Sequence, residues 1–265
     1  MIRVLVGGLA AGVITGLARQ RGMLSASGQW AAFFLGVLSA AAGWVWASLL
    51  VAFFAAATAL TRWREEEKLR RTERTVPRAA ERTAYQVLAN GGAFVLLALL
   101  FHRSGSERWA LGALGALAAA SADTWSTEVG TLFGGTPRSI WMARVVPVGM
   151  SGGMTFVGSL AGLAGAACIA ALGAAMLPLS FVRVAAIVSA AGFAGCIGDS
   201  LLGGAFQSKR YCDRCKEWTE RRVHPCGYRT KHRAGFSWVT NDLVNLLATG
   251  VGAAAAMVIG RWFRT

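Results

Sequence analysis

Long runs of this chain are too apolar to fold in water around one core. They fall near residues 2–18, 28–42, 44–61, 84–101, 108–134, 151–176, 181–206 and 236–260. Several approach the roughly 20 apolar residues that cross a bilayer. Strand-like alternation is absent, and Gly and Ala crowd the runs, as where helices pack closely in lipid. The expected fold class is all-α: a polytopic membrane bundle of about eight helices, forming one integral membrane domain over 1–265. The first run could pass for a signal peptide. Gly, Arg and Gln follow it in place of a clear cleavage motif, so it reads as a spanning helix.

Composition supports this reading: 55% of the 265 residues are hydrophobic and the mean hydropathy is +0.48. The net charge of +14 invites nucleic acid as a partner, but its distribution argues against that. Loops 19–27, 62–83, 135–150 and 208–235 hold 21 of the 27 Lys and Arg. Two helices separate each loop from the next, so all four share one side, which the positive-inside rule makes cytosolic. Attraction to anionic lipid accounts for the rest of the charge. Both termini then face out with Arg3, Arg261 and Arg264, a mild conflict. The segment 62–83 intersperses opposite charges and reads as a partly helical, solvated cytosolic stretch.

Four of the thirteen acidic residues, Asp123, Glu128, Asp199 and Asp242, lie in or at the ends of apolar runs. A charge at membrane depth costs at least about 2.5–3.5 kcal/mol on insertion scales, so these need partners. Divalent cations carrying phosphates are the natural ones. Asp123 and Glu128 are five apart and do not share a helix face. Glu128 as a structural acceptor stays open, as does a transporter's cation path through the three aspartates. The three asparagines are Asn90, Asn241 and Asn245, of which the last two share a face. Between the carboxylate motifs, Ser151 reads as an N-cap. Gly152 and Gly153 would then free amides for phosphate, the alternative being a close helix crossing built on glycine.

The insert 208–235 holds Cys212, Cys215, His224 and Cys226. Three thiols and an imidazole suit a tetrahedral zinc knuckle, with a redox pair or free thiols as alternatives. Cys168 and Cys196 read as small core residues. His102 and His232 read as loop or interface residues.

Together, QVLANGG (86–92), ADTWSTEVGTLFGG (122–135), PVGMSGGMT (147–155), GDSLLGG (198–204) and WVTNDLVN (238–245) resemble the transmembrane protein 19-like family, also called domain of unknown function 92. The resemblance runs from about residue 20 to 250. The Cys/His insert also looks like that of bacterial members. A plant member phosphorylates phytyl phosphate to phytyl diphosphate, so the resemblance implies a lipid-phosphate kinase. A more distant likeness is to phosphatidate cytidylyltransferases and polyisoprenol kinases. Asp123-Thr124, Gly130 and Phe133-Gly134 keep the spacing of the pattern Asp-Thr-x5-Gly-x-x-Phe-Gly, and Gly198-Asp199 resembles its Gly-Asp element. The Lys-Thr-x-Glu-Gly element and the Lys after Gly-Asp have no counterpart. That departure counts more against cytidylyl transfer than against a kinase.

These likenesses imply phosphoryl transfer from a nucleoside triphosphate, CTP by analogy, to a prenyl monophosphate such as phytyl or geranylgeranyl phosphate. Magnesium is expected at Asp123, Asp199 and Asp242, with Glu128 completing the shell. Thr124, Gly130, Gly134, Gly198 and the Ser151–Gly153 amides would line the phosphate site. Asn90, Asn241 and Asn245 would orient sugar or acceptor, and Arg138, Arg144 and Lys209 would offset charge. Cytidylyltransferase, polyprenol kinase and cation-coupled transporter are the competing functions. A bacterial cytoplasmic membrane is the expected location, with the site on the cytosolic face. The expected partners are bilayer, nucleotide and prenyl phosphate, without nucleic acid. Homo-oligomerisation is left open.

Overall fold

The computed structural model describes residues 2–77 and 81–263. Residues 78–80 of the charged segment, and Arg264, lie outside the described residues. The described residues form eight long helices: α1 (Ile2–Gln20), α2 (Ala26–Ala42), α3 (Trp44–Arg62), α5 (Ala84–Ser104), α6 (Glu107–Phe133), α7 (Phe156–Met176), α8 (Phe181–Phe206) and α9 (Asn241–Trp262). A short α4 (Glu65–Thr72) lies within the charged segment. Six of them, α1, α3, α5, α7, α8 and α9, are long and apolar enough to cross a membrane. The all-helical expectation omitted two small antiparallel sheets in the polar connections. In one, β1 (Arg138–Ser139) sits between β2 (Arg144–Val145) and β3 (Gly153–Met154). In the other, β4 (Lys209–Cys212) sits between β5 (Glu217–Thr219) and β6 (Lys231–Ala234).

Helix α6 is the axis of the bundle. Every residue from Ala110 to Ala122 is buried, as expected of a helix apolar on all faces and surrounded on all sides. Small residues set the spacing of its neighbours. A Cβ on Gly115 would fall 2.4 Å from Gly252 O of α9, and one on Gly192 of α8 2.6 Å from Ala118 Cβ. Two hydroxyls tie helices together across the bundle: Ser121 donates to Gly165 O at 2.9 Å and Thr249 to Ala89 O at 3.1 Å. Helix α1 packs on α2 through Gly7 and Ala11, and leaves Leu5, Leu9 and Val13 exposed for lipid. Cys168 is likewise exposed on α7, which corrects its reading as a core residue, whereas Cys196 is buried.

The four basic connections meet at one end. Leu24 after α1 pairs with Arg82 before α5, and Thr75 after α4 accepts from Glu220 N of the insert. Ser151 N, between α6 and α7, donates to Glu220 as well. The parity of the helices alone predicts this clustering.

Candidate active site

A cavity of about 880 Å³ opens among α1, α2, α3 and α6 and reaches α8 and α9. It lies toward the upper end of the range of about 300–1,000 Å³ usual for ligand sites. Its wall on the first three helices is mostly apolar, with Ile14, Leu50 and Phe54 among the lining and Thr15, Thr58, Thr61 and Arg62 as its polar members. Its other wall is polar: Asp123 and Glu128 from α6, Asp199 from α8, Asn90 from α5, and Asn241 and Asn245 from α9. At 1.5 Å per residue, Asp123 lies about 15 Å from the polar end of α6, and Asp199 about 10 Å from that of α8.

Asp123 and Asp199 are half-buried, and each lies in the other's field. Among the described residues neither forms an ion pair. With its amide nitrogen turned toward α8, Asn245 donates to Asp199 Oδ1 at 3.0 Å and to Asn241 O at 3.2 Å. Two hard-oxygen carboxylates without a countercharge are a donor set that suits magnesium.

Several expected residues sit elsewhere. Asp242 does not line the cavity. Asn241 and Asn245 face it at i and i+4, and the intervening carboxylate is rotated about 100° away. Its charge falls in the first turn of α9, where the helix dipole favours it. Ser151 is not an N-cap: α7 starts at Phe156, and Thr155 Oγ1 accepts from Gly158 N at 3.0 Å. Ser151, Gly152 and Gly153 form a loop along the cavity wall, and Gly153 N already donates to Met150 O at 3.0 Å. Gly152 is needed for close approach, because it has φ +81° and a Cβ there would sit 2.3 Å from Gly204 Cα. Thr124 and Gly130 line the cavity, while Gly134 packs on Thr155 and Gly198 faces Val251. Arg138 and Arg144 are exposed on β1 and β2. Lys209 is buried, and its Nζ donates to Gly203 O at 2.7 Å and Gly204 O at 2.8 Å, closing the end of α8. None of these three cations lines the cavity.

Of the cations that do reach it, Arg62 and Arg82 come from the segment read as solvated and Arg21 from the loop after α1. Arg21, Arg62 and Arg82 line the cavity mouth. Arg82 is held by its backbone: its N donates to Met23 O at 3.0 Å and its O accepts from Ser25 N at 3.1 Å. Its carbonyl lies where a Cβ on Gly28 would be, 2.0 Å away. Its guanidinium donates to Thr61 Oγ1 at 3.3 Å. Thr61 in turn donates to Glu128 Oε1 at 2.7 Å, and Glu128 Oε2 is ion-paired with Lys68. Lys68 Nζ also donates to Leu60 O and Thr61 O, at 2.6 and 2.7 Å. Both oxygens of Glu128 are therefore engaged, and this favours the structural alternative over metal ligation.

In the insert, Cys212, Cys215, His224 and Cys226 place their ligand atoms within 4.8 Å of one another. Cys212 and Cys226 Sγ are 3.7 Å apart, and His224 Nδ1 is 3.3 Å from Cys226 Sγ. Tetrahedral zinc, with bonds of about 2.3 Å to S and 2.0 Å to N, needs edges of about 3.8 and 3.5 Å. A hydrogen bond from the Tyr228 backbone, then one from His224, pulls the Cys226 thiol down to about 6, toward the thiolate that a metal binds. His224 Nε2 lies 3.3 Å from Glu217 Oε2 but makes no hydrogen bond among the described residues.

The chain is 28% identical over 250 residues to the chloroplastic protein VTE6 of Arabidopsis thaliana, covering 89% of this chain and 65% of that protein's length. It is 32% identical over 219 residues to an uncharacterized membrane protein of Methanocaldococcus jannaschii (82% of this chain, 77% of the other). Identity to protein PGR of Arabidopsis thaliana is 30% over 217 residues, covering 73% and 75% of the two chains. No solved structure matches. The profile of the family described as integral membrane protein DUF92 matches residues 9–253, nearly the whole helical bundle, and the chain belongs to that family.

Proposed function

We propose that this protein is a membrane prenyl-phosphate kinase that takes its phosphoryl group from a nucleoside triphosphate, CTP by analogy. The observation that carries the reading is one cavity with two carboxylates, Asp123 and Asp199, that form no ion pair among the described residues, on one wall and the mostly apolar helices α1–α3 on the other. Such a cavity suits a lipid with an anionic head. The similarity to VTE6, and the phytyl-phosphate kinase activity that the family resemblance implies, support the same reading.

Magnesium bound there would neutralise charge on the donor phosphates. Asp123 and Asp199 would hold it, with Asn245 fixing the Asp199 carboxylate. Arg82, Arg62 and Arg21 at the mouth would offset charge on the acceptor phosphate, taking the part expected of Arg138, Arg144 and Lys209. An acceptor phosphate oxygen attacks the terminal phosphorus of the donor. A new P–O bond forms, the bond to the bridging oxygen breaks, and the nucleoside diphosphate leaves. The acceptor is already ionised near neutral pH, its second pKa being about 6, so no strong general base is required. The prenyl chain would lie along Ile14, Leu50 and Phe54. The Cys/His insert would hold structural zinc at the cytosolic face.

The test is purified protein with Mg2+, labelled CTP or ATP, and phytyl or geranylgeranyl phosphate. Prenyl diphosphate is expected, and Asp123→Asn or Asp199→Asn should abolish it in a folded protein. CDP-lipid with release of pyrophosphate would make the protein a cytidylyltransferase instead.

A further inference from the structure

The Cys/His insert is bonded to the wall of the cavity. Glu220 directly follows β5, whose Glu217 pairs with Cys212. The Glu220 carboxylate reaches out of the insert. Oε1 accepts from Ser151 N at 2.8 Å and from the Ser151 hydroxyl, and Oε2 accepts from Gln207 Nε2 at 3.0 Å. Ser151 and Gly152 line the cavity, and a Cβ on Gly152 would come within 2.9 Å of Ser200 O, next to Asp199. The same stretch of the insert grips the segment after α4. Glu220 N donates to Thr75 O at 2.8 Å, and Arg221 Nη1 to Glu73 O at 3.1 Å and Val76 O at 2.9 Å.

We infer that the insert is a positioning element of the site. Glu220 transmits its metal-held shape to the loop Met150–Gly153, and thereby to the Asp199 turn of α8. An insert this small has no apolar core; its most buried side chains are Cys212, Thr219 and His224. A metal at its four ligands is what would fix β4 against β5 and aim Glu220. Glu220 is thus a positioning residue that touches no substrate. The link from metal to loop depends only on these bonds. The claim that it matters for turnover rests on the kinase reading.

Hydrogen exchange of the full-length protein in lipid nanodiscs, with zinc per chain measured in parallel, decides between the cases. Met150 N, Ser151 N and Gly153 N are the reporters, since each donates within this network. Glu220→Ala should keep its zinc and exchange at these amides about 10–100-fold faster, the effect of losing hydrogen bonds to a charged acceptor. Stripping zinc with a chelator should speed the same amides, together with Val76 N. Glu220→Gln retains an acceptor oxygen for Ser151 and should fall between Glu220→Ala and wild type, which also covers the event that Glu220→Ala does not fold. Loop exchange within about twofold of wild type in both Glu220→Ala and stripped protein would overturn the inference. So would loss of zinc from Glu220→Ala, which would make Glu220 part of the insert's own fold. A protein with no kinase activity would still give these readouts, so the two readings fail separately.

Discussion

Replacing Lys68 with Met asks whether Glu128 is an anchor or a metal ligand. Lys68 is 11% exposed and Glu128 18% exposed. The Lys68 ammonium bonds that carboxylate together with the last carbonyls of α3. Breaking a fully buried ion pair leaves an uncompensated charge and costs about 3–5 kcal/mol. Here the stranded Glu128 is 18% exposed and keeps the bond from Thr61, so about 2 kcal/mol is the better figure. For a chain of this size that is a fall in Tm of about 4–8 °C. Glu128→Gln keeps the shape and the bond from Thr61, and should cost about 1 kcal/mol. In the double variant no charge is stranded, so its cost should fall short of the sum of the singles by at least about 1 kcal/mol. Thermal unfolding of the four proteins in one detergent measures this cycle, and turnover is followed alongside. Additivity within about 0.5 kcal/mol would refute the anchor. So would a Glu128→Gln protein of normal stability and no turnover, which would return Glu128 to the metal shell.

Arg82→Met should raise KM for the prenyl phosphate about tenfold or more while lowering kcat less, since an arginine at the mouth acts on binding; an unchanged KM would remove it from the site. Purified without a metal-affinity tag, the protein should carry about one zinc per chain, and Cys212→Ser should fall below about half an equivalent. Gly115→Val drives a side chain into Gly252 O of α9 and should destabilise the bundle by about 1–3 kcal/mol or more, read as a lower Tm.

The helices were legible because lipid leaves few other solutions; the crowding of Gly and Ala pointed to close packing, but not to the contacts that Gly115 and Gly192 make. The convergence of Asp123, Asp199, Asn241 and Asn245 was legible because each is a rare polar group in an apolar run. So was the Cys/His cluster, from its spacing alone. Two kinds of residue were hidden. Asp242 was misplaced because one residue of helix rotation separates a cavity wall from its neighbour. Ser151 was taken for a cap because Thr155, four residues on, offers the same chemistry at the true start of α7. Lys68 and Arg82 were read as solvated because their partners lie far along the chain: Glu128 is 60 residues from Lys68, and Met23 and Ser25 pair with the Arg82 backbone. One signal was present. The chain has only four lysines among its 27 basic residues, and two of them, Lys68 and Lys209, are buried carbonyl binders.

The most direct measurement is an experimental structure with manganese and a non-hydrolysable CTP analogue, using manganese's anomalous or density signal to locate the metal. The account predicts metal between the carboxylates of Asp123 and Asp199, with triphosphate beside the Ser151–Gly153 loop. Metal bound elsewhere, or these two side chains bridged by a protein cation with no nucleotide in the cavity, would contradict it.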